Sequence, residues 1–387
     1  MKTIFYDESA YPVQRTVIDK VSEYKYKQRK LQKIYRRILN KFYRSDKNNQ
    51  HYFNNHTYFN KKNGIYHDFN KIVFGKGQWV TTYETLLLRY DEVVQHQHSQ
   101  QKTKRLLKGL KQITSPQNLG IIALSQNAKN IQQVLMENLD IDPEIQQKVM
   151  QKIDVVHPPQ RLLVEVNSEQ IIDKNEIKLL FVGGDFIRKG GLDTVIVLQY
   201  LRKKYKNFHL TIVSKLDPGT YGLDNDDLVR FEKIKKFLFT TEWITLHSEL
   251  PNNEVLELMK ISDIGLLPTR ADTYGYSILE MQAAGTPVIT TNVRAIPEIN
   301  TDETGWIIEV PKNSMGEASY QTKDDLKKLR ETIQNGLTVI LEDILLNTDT
   351  INPRRKASLD RILKEHNPKD YEKVIEKIYG RGQMDRL

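Results

Sequence analysis

The sequence predicts an α/β protein whose second half is built on a parallel sheet with helices on both faces. Three observations carry this. From Lys178 onward, short apolar runs alternate with amphipathic stretches at the spacing of strand–helix units. Glycines stand where a strand would exit, in FVGG, and a glycine and a proline stand where a helix would stop, in AAGTP. At 387 residues the chain has room for two domains of ordinary size.

In chain order, the first 160 residues are polar and irregular, with a loop-like NNQHYFNNHTYFNKKNG. Their strand candidates are KIVFG (Lys71–Gly75), QWVTTY (Gln78–Tyr83) and GIIALS (Gly120–Ser125). From Tyr24 to Lys47 the chain carries ten Lys or Arg against one Asp. Leu31, Ile34, Tyr35, Ile38, Leu39 and Phe42 recur there at helical spacing, which predicts a basic amphipathic helix. A second basic stretch, KTKRLLKGLK, runs from Lys102 to Lys111. VVHPPQRLLVEVNSEQIIDKN reads as a linker, because its two prolines break any helix.

Then the regular part begins. KLLFVGG, HLTIVS, WITLHS, IGLLPT and PVIT read as strands. LDTVIVLQYLRKKY, FEKIKKFLF, NEVLELMKIS and the stretch around SILEMQAA read as helices between them. The tail from Thr322 reads as helices to the end.

Composition narrows the function classes. There is no cysteine, which excludes disulfides, thiolate catalysis and cysteine-ligated zinc. Apolar content of 39% and a mean hydropathy of −0.56 suit a polar surface. No run approaches the ~18 apolar residues of a membrane span. MKTIFYDESAYPV lacks the apolar core of a signal peptide, so a cytoplasmic protein is expected. The net charge of +9 leaves open an anionic membrane surface, nucleic acid, or an ordinary solvated helix as the reason for the basic segments.

Two loops beyond the strand ends carry chemistry. FVGGDFIRKGG has Gly183 and Gly184 at a strand exit, then Arg188 and Lys189, then two more glycines before a helix. Glycine lets backbone approach a ligand, and the cations supply charge for a phosphate. It is neither a Walker loop nor the dinucleotide fingerprint. In ADTYGYSILEMQAAGTPVIT, Asp272 and Glu280 lie eight positions apart around Tyr274, Gly275, Tyr276 and Ser277. A helix starting there would offer free N–H groups to phosphate oxygens. Glu280 would accept from vicinal ribose hydroxyls, and Asp272 from hydroxyls of a sugar. The plain alternatives are a cap for Asp272 and a solvated acid for Glu280. Asp224-Asn225-Asp226 looks like a metal-binding Asp-x-Asp but lies in the polar YGLDNDDL, and is read as a solvated turn.

Together the two motifs resemble the family 4 glycosyltransferases, retaining enzymes of the GT-B fold. Gly183 through Lys189 and Gly190 match the family's diphosphate loop, and Asp272 and Glu280 match its acid-x7-acid motif. ALSQNAKN, KIDVVHPPQ and ELPNNEVLELMKISDIGLLPT are similar to its flanking segments, over roughly residues 120 to 312.

The resemblance implies two Rossmann-like domains facing a central cleft. These are 1–160 on the acceptor side, 161–350 binding the nucleotide sugar, and helices in 351–387 that cross back to the first domain. It implies sugar transfer to a hydroxyl acceptor with retention, a glycan or lipid-linked acceptor, and no required metal or cofactor. Donor contacts fall to Gly183, Gly184, Arg188, Lys189, Asp272, Tyr274, Gly275, Tyr276, Ser277 and Glu280, and the catalytic set implied is Arg188, Lys189, Asp272 and Glu280, with charge stabilisation from Arg188, Lys189 and the amides around Tyr276 and Ser277. Departures are Asp272 in place of the usual Glu, and Gly184 where an Arg often stands, a task Arg188 is expected to take over. Residues 24–47 are expected to touch an anionic membrane surface. An inactive GT-B partner protein is the alternative, and a nucleic-acid-binding protein the least favoured one.

Overall fold

The computed structural model describes residues 2–7, 9–29, 56–60, 64–89, 100–166 and 170–384. The chain forms two compact units, 1–159 with 366–387, and 160–365.

Among the described residues the first unit contains eight strands: β1 (Thr3–Tyr6), β2 (Lys25–Gln28), β3 (His56–Asn60), β4 (Ile65–Phe69), β5 (Ile72–Gly75), β6 (Gln78–Tyr83), β7 (Asn118–Ala123) and β8 (Ile153–Val155). Six of them form a wholly parallel sheet in the order β2-β1-β4-β6-β7-β8, and β3 pairs with β5. Successive residues of a strand point to opposite faces, and both faces are apolar here. Trp79, Ile121 and Ala123 join one core, and Val80 and Ile122 the other. The helix Gln100–Ile113 covers the first core with Leu106, Leu110 and Ile113. Its apolar stripe is therefore used inside the unit, which is the plain reading of that basic segment. The helix Pro368–Met384 covers the second core with Tyr371, Ile375, Ile378 and Tyr379.

Two expectations for this half are corrected. The polar texture hides a full sheet, because β4 carries His67 and Asp68 into the interior. His67 is bonded by Tyr379 Oη (2.7 Å) and Thr82 Oγ1 (2.8 Å), and Asp68 by Arg29 (2.7 Å). The basic segment 24–47 does not begin as a helix, since Lys25–Gln28 is strand β2. Its pattern has period two, with Lys25 and Lys27 exposed while Tyr24 and Tyr26 pack on the second core. The rest of that segment, from Lys30, lies outside the described residues. No helix among the described residues is long and apolar enough to cross a membrane.

The second unit holds β9 (Ile177–Val182), β10 (Phe208–Val213), β11 (Ile244–His247), β12 (Ile264–Leu267), β13 (Val288–Thr291) and β14 (Gly305–Ile308). They pair in parallel in the order β11-β10-β9-β12-β13-β14. Counted along the chain this is 3-2-1-4-5-6, the doubly wound Rossmann order. The strands read as apolar runs because helices bury them on both sides. The expected tail block 351–387 is split. Helix Ile351–Glu365 stays with the second unit, where Ser358 Oγ donates to Thr304 O (2.7 Å) and Arg354 lies over the Trp306 ring. Among the described residues of the tail, those from His366 on, with the helix Pro368–Met384, belong to the first unit.

Candidate active site

In a doubly wound sheet, ligands bind beyond the carboxyl ends of the strands where the order reverses. In the second unit that point lies between β9 and β12. The loops that leave these two strands are 183–190 and 268–275, the two motifs singled out in the sequence.

The loops are stitched together through backbone and side chain. Arg270 N donates to Arg188 O (2.8 Å), Thr269 Oγ1 to the same oxygen (3.0 Å), and Arg188 Nη1 to Ala271 O (2.6 Å). Gly190 has φ of +85°, and a Cβ there would stand 2.2 Å from Pro268 O. Only glycine permits so close a crossing. Lys189 Nζ then meets Asp272 Oδ2 in an ion pair whose side chains are 18% and 7% exposed. Burial pushes the Asp272 carboxyl up, but Lys189, with help from Arg188, holds it below the usual aspartate range.

Beyond Asp272 the chain turns at Gly275, with φ of +94°, and enters the helix Tyr276–Ala283. No side chain caps this helix. Its first amides belong to Tyr276 and Ser277, both half-buried. Ile278, Leu279, Met281 and Ala283 fix the helix in the core, and Arg355 Nη1 donates to Gly285 O (2.8 Å) just past its end. A cation there complements the helix dipole. Glu280, one turn in, is 8% exposed and so is not a solvated acid.

The structure therefore brings Gly183, Lys189, Asp272, Gly275, Tyr276, Ser277 and Glu280 onto two joined loops and one helix. Three expected residues take other places. Arg188 is not a free cation standing in for Gly184. Its Nε and Nη2 bind Asp185 Oδ2, its Nη1 binds Ala271 O, and its guanidinium lies over the Tyr221 ring at 5.0 Å. It braces one loop against the other. The Tyr274 side chain is wholly buried, its ring 5.4 Å from that of Tyr276, and so belongs to the core. Gly184 is exposed, with open space where a side chain would stand.

The Asp-Asn-Asp stretch is not a solvated turn. Asp224 caps the helix Asn225–Leu238, forming a capping box with Asp227, and Arg330 binds Asp224 at 3.0 Å. Among the described residues, no group of three His, Asp or Glu side chains is placed to hold a metal ion.

Sequence reasoning missed Arg270, the anchor of the second loop. It is fully buried, and all five of its N–H groups are used by Asp193, Asp227 and Gly222 O at 2.7–3.3 Å. Burial pulls its pKa down, and the two carboxylates more than reverse this. The available signal was Asp193, an acid inside the apolar LDTVIVLQYL.

Comparison with known proteins follows the same division. Residues 165–339 match the family model described as glycosyl transferases group 1. Over 121 residues the chain is 30% identical to a glycogen synthase from Mycobacterium tuberculosis, covering 31% of this chain and 27% of that protein. Over 142 residues it is 31% identical to an uncharacterized 41.2 kDa protein in the cps region of Klebsiella pneumoniae, covering 36% and 35%. The chain thus spans about a third or less of these relatives. Among solved structures, a glycosyltransferase from Rickettsia africae matches at TM-score 0.59 and 17% identity, over 99% of this chain and 98% of its own. HepE from Anabaena, in complex with UDP and glucose, matches at 0.56 and 11%, over 98% and 99%. Sucrose-phosphate synthase from Thermosynechococcus elongatus matches at 0.55 and 15%, over 94% and 82%. At such identities the likeness is one of fold, that of the GT-B glycosyltransferases. The chain has this fold, and its residues 165–339 match the glycosyl transferases group 1 model.

Proposed function

We propose that this protein is a retaining glycosyltransferase that moves a sugar from a nucleotide-sugar donor to a hydroxyl of a glycan or lipid-linked acceptor. One observation carries the reading furthest: a buried Lys189–Asp272 pair, an uncapped helix start and the buried Glu280 gather at the switch point of a Rossmann-ordered sheet. The diphosphate would lie between Lys189 and the amides of Tyr276 and Ser277. Glu280 would accept from the ribose hydroxyls, and Asp272 from hydroxyls of the transferred sugar.

In the reaction, the bond from the anomeric carbon to the diphosphate oxygen breaks. The acceptor oxygen bonds to that carbon on the same face, and its proton passes to the leaving diphosphate. Negative charge grows on the diphosphate, so fixed donors aimed at it act most strongly in the transition state. No protein nucleophile and no metal is part of this scheme.

In the first unit the strand order reverses between β1 and β4. There Asp7 pairs with Lys71 (2.8 Å) and Asp68 with Arg29 (2.7 Å), and this end of the sheet is the proposed acceptor side. Contact of residues 24–47 with an anionic membrane at the cytoplasmic face rests on their sequence, an apolar series through Leu31, Ile38 and Phe42 beside ten cations, of which Arg29 is committed to Asp68. Vesicle co-sedimentation that is indifferent to Lys30, Lys33 and Arg37 reversed to Glu would remove it.

The central test is calorimetry of the full chain with UDP, ADP and GDP, followed by a screen of nucleotide sugars with NMR of the product anomer. Micromolar binding of one diphosphate and a product of unchanged anomeric configuration are expected. A product of inverted configuration would overturn the retaining scheme. A second reading, a GT-B protein without turnover, is favoured by the commitment of Arg188 to Asp185. It predicts that no diphosphate binds.

A further inference from the structure

A cavity of about 490 Å³ opens on the second unit far from the diphosphate loops. It lies beside the last turn of the helix Gly191–Leu201 and the amino ends of β10 and β11, so the six-residue length of β10 separates it from the candidate active site by about 20 Å. Phe237 and Trp243 line it, with Tyr200, Gln199, Lys203 and Lys206 around them. Tyr200 is 62% exposed.

The aromatic part is built rather than incidental. The Arg202 guanidinium lies over two rings that also touch each other, 5.1 Å from the Phe208 centroid and 5.4 Å from that of Trp243. Its Nη1 also donates to Lys206 O (2.6 Å) and Phe208 O (3.0 Å). Phe208 and Phe237 meet the Trp243 ring at 5.3 and 6.0 Å. The indole is thereby held in one orientation before any ligand arrives.

Charge is as one-sided as the aromatics are fixed. None of the lining residues is acidic. The neighbouring Lys204 has Glu342 at 3.5 Å, yet Lys203 has no ion-pair partner among the described residues. An exposed lysine that lines the same cavity as the rings, without an acid, is placed for an incoming anion.

We propose that this cavity binds a saccharide that carries an anionic group, a phosphate or a carboxylate. The apolar C–H face of a pyranose ring lies against Trp243 and Phe237, the Gln199 amide meets a hydroxyl, and Lys203 and Lys206 hold the anion. A bare inorganic anion makes no use of the rings, and a neutral sugar none of the lysines.

Trp243 supplies the readout. Of the three tryptophans, Trp79 and Trp306 are 0% and 6% exposed, so quenching by a bound ligand reports Trp243. The full chain is titrated with glucose 1-phosphate, with a hyaluronan hexasaccharide and with glucose, and the two anionic arms separate a phosphorylated from a carboxylated ligand. Saturable quenching is expected with at least one anionic saccharide and not with glucose. It should weaken about tenfold or more in the exposed variant Lys203→Glu, vanish in Trp243→Phe, and stay unchanged in Lys189→Ala.

Equal quenching by glucose, or quenching that survives Lys203→Glu, overturns the proposal. So does no quenching by either anionic saccharide. Phosphatidylglycerol vesicles that sediment the chain through Lys203 while neither saccharide quenches would assign the face to a lipid surface instead.

Discussion

Replacing Asp272 by asparagine is expected to tighten the binding of a bare nucleoside diphosphate. Asp272 Oδ2 is in direct contact with Lys189 Nζ, and both side chains are largely buried. At an effective dielectric near 20 and about 3 Å, the gross attraction of such a pair is ~5 kcal/mol. A diphosphate that draws Lys189 to itself must overcome part of this attraction. In Asp272→Asn the competitor is gone, and recovery of ~1.4 kcal/mol would lower Kd about tenfold. Lys189→Ala should do the opposite, losing one charge-assisted contact worth ~1.5–3 kcal/mol, or about 10- to 100-fold in Kd. It also leaves Asp272 buried without its lysine, which costs about 3 kcal/mol of stability. The double variant should regain that stability but bind no better than Lys189→Ala. Calorimetry with UDP at one fixed salt concentration, beside urea unfolding of each variant, reads both quantities. If Asp272→Asn weakens UDP as much as Lys189→Ala does, the pair is a structural unit and Lys189 is no diphosphate ligand. An unchanged Kd in Lys189→Ala would remove the lysine from the site.

Glu280→Gln keeps the shape of the buried side chain and removes its charge, so Kd for the nucleoside diphosphate should rise about tenfold while the melting point hardly moves; a normal Kd would end the ribose assignment. Gly184→Arg enters open space and should change stability by no more than about 0.5 kcal/mol while tightening the diphosphate several-fold, which calorimetry checks directly. The Asp272 carboxyl is pushed up by burial and held down, on balance, by Lys189 and Arg188. A depressed folded pKa gives stability that is present above the unfolded value near ~3.9 and lost as pH falls through the folded one. Asp272→Asn should therefore flatten the acid limb of the stability curve, as urea midpoints between pH 6 and pH 2 would report.

The two halves of the chain differ in how far their fold can be read from residues. β12 buries all four of its residues and β9 and β10 four of six each, and a strand buried between two helix layers reads mostly as an apolar run. β4 is as deeply buried but reads IYHDF. The His67 imidazole, pushed down to about 3 by burial, stays neutral between Tyr379 and Thr82, and Asp68 is neutralised by Arg29. Polar residues that find partners far along the chain leave no trace in local hydropathy. The same holds for the site. That Lys189 and Asp272 lie on loops just past strand ends is legible from the glycines near them, and Glu280 follows the second loop by about one turn of helix. The commitment of Arg188 to Asp185 is not legible, because nothing in RKGG says whether an arginine turns outward to a ligand or inward to a loop.

Arg270 shows where the shape of the site comes from. A buried guanidinium with two carboxylates is seldom the most stable filling for its volume, since the desolvation of three charges offsets most of their attraction. Its geometry is nonetheless definite, for five N–H groups meet Asp193 on one helix, Asp227 on a second and Gly222 O in a loop. Gln334 and Arg330, from a third helix, bind the same two acids at 2.8 and 3.2 Å. The loop that presents Asp272 is therefore tied at its root to three helices, and through Arg188 O and Gly190 to the loop that presents Lys189. An apolar residue in place of Arg270 could fill the space but could not set the direction in which the chain leaves β12. Charge stabilisation in a transition state depends on donors that need not move when the charge appears. In this unit that rigidity is assembled one shell behind the residues that would touch the donor.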